Sequence, residues 1–193
     1  METMQTLFGI LPQVGRLEWI GLRSARLGEI AIVEEAILVA ERGLQGDHKV
    51  TGRAGTKRQV TLIQHEHLVA VAGMLHRDKV PPELTRRNLV VSGINLLALK
   101  GKRFRVGEAL LEFSGPCEPC SRMEANLGPG GFNAMRGHGG ITARVIEGGA
   151  IRVGNEVRQD PSSPSQSARG VSEVRSEAAV LRLRLKANRR AGR

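Results

Sequence analysis

The apolar positions of this chain fall in short runs of β-branched and aliphatic residues separated by glycine-marked turns, the pattern of strands only a few residues long. The clearest runs are Leu17–Leu22, Ala36–Ala40, Gln59–Ile63, Asn88–Val91, Arg103–Val106, Ala109–Phe113, Ile141–Ile146 and Ile151–Val157. Between the last two, Glu147-Gly148-Gly149-Ala150 predicts a hairpin, because consecutive glycines accept the positive φ angles of a primed turn. Helical spacing is confined to fewer places. Over His67 to Leu75 it sets Leu68, Val71, Ala72 and Leu75 on one face, and a second short helix is predicted around Ser121 to Asn126. Many short strands, few helices and evenly spaced turns predict a mainly β fold, a small closed or partly closed barrel rather than a parallel α/β sheet.

Composition bounds that picture. The 193 residues suit one ordinary domain with room for a tail. Aromatics are 3% with no tyrosine, which disfavours a nucleic-acid surface built on rows of stacking rings. No apolar run approaches the roughly 20 residues of a membrane-spanning helix, and the first fifteen residues lack the pattern of a secretory signal. Two cysteines three positions apart, Cys117 and Cys120, fit chemistry or metal ligation better than a disulfide framework, so a reducing cytoplasm is the expected location.

The net charge of +10 is unevenly spread. Residues 161–193 carry eight Arg and Lys against two Glu, a net of +6, leaving +4 for the rest of the chain. The Ser/Pro-rich stretch from Asp160 to Gly170 reads as a linker too poor in apolar groups to repay its ordering entropy. The expected organisation is a barrel domain over 1–159 and, over 160–193, a linker with a disordered or weakly helical basic tail. Nucleic acid would be a partner only through that tail.

The richest chemistry lies in Gly115-Pro-Cys-Glu-Pro-Cys-Ser-Arg122, between a strand and a short helix. A cysteine near a helix start and beside Arg122 has its thiolate favoured by exposed N–H groups and positive charge, so it can serve as nucleophile, sulfur carrier or soft metal ligand. A structural zinc site would need two further ligands, and no second Cys-x-x-Cys exists. Thr85-Arg86-Arg87-Asn88 enters a strand, where adjacent arginines project to opposite sides. With Lys57 and Arg58, Arg87 and Asn88 can make planar multi-donor contacts to a phosphate or a pterin ring. Nine glycines lie between 128 and 154, and around Arg136-Gly-His138-Gly139-Gly140 they let backbone N–H groups approach a ligand. His138 is a candidate for proton transfer. Gly43-Leu-Gln-Gly-Asp47 reads as a turn whose aspartate satisfies nearby backbone donors.

The order of these pieces resembles the MOSC domain, the module named after the C-terminal part of molybdenum-cofactor sulfurases and found also as small stand-alone bacterial proteins. The likeness runs through Gly43-Leu-Gln-Gly-Asp47, Arg58-Gln-Val-Thr-Leu62, Arg87-Asn-Leu-Val-Val-Ser-Gly93, Leu99-x-Gly-x-x-Phe104, Val106-Gly107, Cys117-x-x-Cys120, Arg136-Gly-His-Gly-Gly140, Gly148-Gly149 and Val153-Gly154. It departs at His48, where many relatives carry arginine, and at Asn155, where an acidic residue is usual. The resemblance implies a β-barrel with a few outer helices and a pocket for a molybdopterin-type cofactor.

It further implies that the metal is held by the second cysteine, Cys120, with Lys57, Arg58, Arg87, Asn88, Arg136 and Gly139 as cofactor-binding residues. The implied activity is reduction of N-hydroxylated small molecules, with electrons from a separate donor protein. Other members are thought to carry a persulfide on a cysteine, which makes a sulfur carrier the alternative, served by a sulfur-donor protein. A non-enzymatic binding module is the third possibility. The resemblance does not extend to the pyridoxal-phosphate domain of complete sulfurases, so pyridoxal phosphate is not an expected covalent cofactor.

Overall fold

The computed structural model describes residues 3–162; the basic tail lies outside them. In chain order the elements are α1 (Met4–Gly9), β1 (Gly15–Leu22), β2 (Ala31–Val33), β3 (Glu35–Val39), β4 (Gly43–Leu44), β5 (Val60–Gln64), α2 (His65–Met74), α3 (Pro82–Thr85), β6 (Leu89–Ser92), β7 (Arg103–Val106), β8 (Ala109–Pro116), α4 (Ser121–Leu127), α5 (Gly131–Ala134), β9 (Ile141–Glu147), β10 (Gly149–Arg152) and β11 (Glu156–Gln159). A 3-10 turn at Leu96–Leu99 precedes β7.

Seven strands close on themselves in the order β11-β7-β8-β9-β5-β6-β1, and closure comes from β1 pairing with β11 at Gly15↔Val157 and Arg16↔Glu156. The mainly β barrel predicted from the turn spacing is therefore the observed fold. β2 extends the sheet beyond the far end of β1, and β10, β3 and β4 form a separate three-stranded sheet. All ladders are antiparallel except β5 with β6. A parallel pair cannot be joined by a tight turn, and the intervening chain carries α2 and α3.

That crossover explains why β5 is buried along its whole length and β6 over Leu89–Val91. Val60, Leu62, Leu89 and Val91 point into the barrel core with Leu17, Phe104 and Val145. Ile63 and Val90 point outward into a second cluster with Leu68, Val71 and Ala72 of α2, Met123 and Leu127 of α4, and Met135 beyond α5. Both faces of these strands are covered, so period-two alternation is lost. At about 25 cal/mol per Å² of apolar surface, each fully buried leucine contributes roughly 2 kcal/mol to holding the outer helices on the barrel.

Three sequence expectations are corrected. Ile151–Val157 is not one strand: Gly154 adopts φ +94° and breaks the run into β10, which joins the small sheet, and β11, which closes the barrel. Glu147–Ala150 is not a hairpin either, since β9 pairs with β5 and β8 while β10 pairs with β3. Gly148 and Gly149 are there for close approach, because a Cβ would lie 2.7 Å from the Leu38 carbonyl oxygen at the first and 2.8 Å from Glu108 Cβ at the second. Gly43-Leu44 is strand rather than turn, paired with Leu38 and Val39.

Candidate functional site

The Cys117–Cys120 segment leaves the end of β8 and runs to the head of α4, where Cys120 is the capping residue and is exposed. Cys117 is buried at 2% exposure, yet it belongs to neither apolar cluster. Its backbone N–H donates to the Gly140 carbonyl at 2.9 Å, and its carbonyl accepts from Arg87 Nη2 at 2.9 Å. Its Sγ lies 3.6 Å from Arg58 Nη2. Arg58 itself is exposed, so its guanidinium spans from solvent to sulfur.

Arg86 and Arg87 diverge, but not through strand alternation. Arg86 caps α3 in the left-handed region at φ 58° and donates from Nη2 to the Arg26 carbonyl at 2.7 Å. Arg87 turns inward, and Nε, Nη1 and Nη2 donate to the carbonyls of Gly139, Thr85 and Cys117 at 2.8, 2.8 and 2.9 Å. Three charge-assisted bonds to backbone make it a clamp between α3, the cysteine segment and the Gly-rich loop. Burial lowers its pKa, opposed chiefly by the charges of Cys117 and Cys120. Asn88 is likewise consumed. Its Oδ1 accepts from Thr61 N and Oγ1 at 3.2 and 2.8 Å, and its Nδ2 donates to the Gly21 carbonyl at 3.2 Å and Asp47 Oδ2 at 2.9 Å.

Asp47 is buried at 2% exposure and joins this knot to two cations. It accepts the Lys49 N–H at 3.1 Å and the Arg23 N–H at 3.2 Å, and the Arg23 guanidinium Nε lies 3.9 Å from it. The Arg23 side chain is only 8% exposed, and that Nε has no hydrogen-bond partner. Burial lowers the Arg23 pKa, with Asp47 opposing. Lys49 is pushed down to about 8, first by burial and then by the charge of Arg23. Arg58 and Arg87 thus contact Cys117, and Arg23 and Lys49 gather at Asp47, so four cations share one buried carboxylate, an excess of positive charge suited to an anionic group.

Lys57 and Arg136 are exposed; the Lys57 carbonyl accepts from Ser114 Oγ. Gly139 packs under the Cys117 carbonyl, where a Cβ would collide with it, and its own carbonyl serves Arg87. His138 turns toward α2, its ring 4.9 Å from that of His67 in an edge-on arrangement. The Nδ1 atoms of both histidines are buried without partners. Burial, and then the neighbouring His138 charge, lower the His67 pKa. Among the described residues, no group of three or more His, Cys, Asp or Glu gathers as a metal-binding set. Two surface cavities of about 340 and 410 Å³ share His65 and Pro82 and are lined by none of the expected site residues.

Sequence reasoning did not single out Arg23 and Lys49, which the structure brings to Asp47. Lys49 stands two positions after Asp47, a weak signal. Arg23 sits at the end of β1, and only the long-range bond to Asp47 reveals it.

A family model described as the MOSC domain matches residues 47–158, more than half of the chain. Among solved structures, YuaD from Bacillus subtilis aligns with a TM-score of 0.64 at 20% identity, over 77% of this chain and 97% of that one. YiiM from Escherichia coli aligns with a TM-score of 0.58 at 24% identity, over 75% and 69%. YiiM from Geobacillus stearothermophilus aligns at 0.60 and 16%, over 78% and 79%. No curated protein sequence matches. At these identities the structures show a shared fold.

Proposed function

Since the chain belongs to the MOSC family, we propose that it binds a molybdenum cofactor at the Cys120 face of the barrel and reduces N-hydroxylated small molecules there. The observation that carries this reading is an exposed thiol on the segment that Arg87 clamps, beside a partly buried, under-neutralised cation cluster. Thiolate is a soft, strong donor for such a metal. The orphaned Arg23 Nε, the half-buried Lys49 and the outward-reaching Arg58 fit the phosphate-bearing part of a pterin. The residues present therefore fit the group.

When bound, the cofactor would supply the two-electron redox change. The chain's own contributions are distinct. Cys120 would hold the metal, and Arg23, Lys49 and Arg58 would bind the anion. Arg87 and Asn88 act one step back: they fix the Gly139 loop, the cysteine segment and Asp47, which in turn sets Arg23 and Lys49. Electrons would come from a separate donor protein in the cytoplasm. Among the described residues, no helix is long and apolar enough to cross a membrane.

The test is elemental analysis of protein made in a host that synthesises the cofactor. Molybdenum near stoichiometry in the native chain and its loss in Cys120→Ser support the reading. Absence of molybdenum from the native chain overturns it. A sulfur carrier is the second reading, favoured by the exposure of Cys120, and a reductant-labile mass gain of one sulfur on Cys120 would establish it.

A further inference from the structure

We propose that Cys117 and Cys120 form a thiol–disulfide couple: Cys120 reacts first with a low-molecular-weight disulfide, and Cys117 closes the ring. Cys120 is exposed and meets solutes directly, whereas Cys117 is buried three residues away. The intervening Glu118 and Pro119 lie in neither helix nor strand, so this short link is free of the ladder bonds that would hold it rigid. The backbone of Cys117 is pinned by Gly140 and Arg87. Closure is therefore a movement of the Cys120 side toward a residue whose backbone is held.

Cys117 is placed unlike a packing cysteine. It lies outside both apolar clusters, and a guanidinium that reaches from solvent donates to its Sγ at 3.6 Å. A sulfur held by a guanidinium donor is oriented for attack on a neighbouring disulfide sulfur.

The steps balance. Cys120 gives its thiol proton to water and attacks one sulfur of R–S–S–R; that bond breaks, one RS⁻ leaves and takes up the released proton, and a Cys120–S–S–R mixed disulfide remains. Cys117 gives its proton to water and attacks Cys120 Sγ, expelling the second RS⁻, which takes up that proton. Two protein thiols are oxidised, and one small disulfide is reduced to two thiols. Arg58 acts as a positioning residue for the second attack. The consequence, that oxidation withdraws the metal-holding thiolate and blocks cofactor loading, rests on the function proposed above; the bond itself does not.

The purified full chain is treated with glutathione disulfide, quenched in acid, and read by intact mass and by alkylation after denaturation. The expected result is loss of two hydrogens, no lasting glutathione adduct, both thiols blocked, and full reversal by dithiothreitol. Cys117→Ser should keep glutathione on Cys120, and Cys117→Ala serves the same purpose should the serine variant not fold. Arg58→Gln should let the mixed disulfide accumulate without slowing its formation, a split that lost packing would not produce. A stable adduct in the native chain with Cys117 still alkylated would overturn the proposal. For the gating, oxidised protein should lose molybdenum uptake and regain it on reduction, and equal uptake by both forms would refute it. If neither form takes up molybdenum, the proposed function falls while the mass result still decides the disulfide.

Discussion

Asn88 Nδ2 donates to Asp47 Oδ2 at 2.9 Å inside the protein, joining two motifs 41 residues apart. One end of the amide is thereby tied to the carboxylate that orders Arg23 and Lys49, and the other end to Thr61 at the start of the parallel β5–β6 pair. The barrel seam and the cation cluster share one buried polar knot.

Replacing Asn88 with alanine should therefore cost more than a typical surface change. Four hydrogen bonds disappear, and Asp47, Thr61 and the Gly21 carbonyl lose their buried partner. A loss of about 3 kcal/mol is expected in urea unfolding. An effect below about 0.5 kcal/mol would mean that the knot is not formed as described.

Gly139→Ala should damage the site through sterics rather than backbone preference. The new methyl would meet the Cys117 carbonyl and come within 3.2 Å of Arg87 Nη2. The variant is expected to unfold at lower denaturant by about 2 kcal/mol and, on the proposed function, to lose molybdenum loading. Native-like stability with full loading would contradict the packing of this loop on the cysteine segment.

Lys49 gives a pH signature. Its folded pKa of about 8 lies below the ordinary 10.5, so between these values the unfolded chain binds more protons and stability rises with pH. The penalty is full below pH 8 and gone above 10.5. Lys49→Met should stabilise the protein by about 2 kcal/mol at neutral pH, after discount for residual exposure, and by nothing once the lysine is neutral. In the native chain, binding of inorganic phosphate should weaken as pH rises through 8, measured by calorimetry, and the Lys49→Met variant should lack that step.

His67 works at the acid end. Its pKa is lowered first by burial and then by the His138 charge, with a backbone hydrogen bond to His138 and the charge of Glu66 opposing, so protons bind more readily to the unfolded chain and stability falls as pH drops below 6.5. His67→Gln should flatten this acid limb in thermal melts recorded across pH. An unchanged limb would assign it to other groups.

Cys120→Ser separates the proposed metal site from the scaffold. The side chain is exposed and caps α4 without a side-chain hydrogen bond, so the melting temperature should not move while molybdenum content falls to background. A lowered melting temperature would give Cys120 a structural role.

Much of this fold was legible in the chain because local chemistry and final structure agree. Arg103–Val106 is a strand with the predicted ends, and the spacing of Leu68, Val71 and Ala72 marks the buried face of α2. Legibility failed where a residue answers to distant neighbours. Gly148 and Gly149 resemble hairpin glycines, but their small size is required by Leu38 and Glu108 of other elements. Arg87 and Asn88 carry ideal donors for a ligand, yet those donors reach backbone carbonyls and Asp47. The cations with spare capacity, Arg23 and Lys49, have no local pattern, because their burial arises only when β1 and the Asp47 turn meet.

The barrel closes through its first and last strands, Gly15 beside Val157. The barrel therefore enters and exits at a single seam, like a bead with both threads on one side. Joining those ends with a short linker and reopening the chain at an exposed turn should give a permuted protein that folds. The same neighbourliness lets the whole unit be spliced into a loop of another protein without pulling its strands apart.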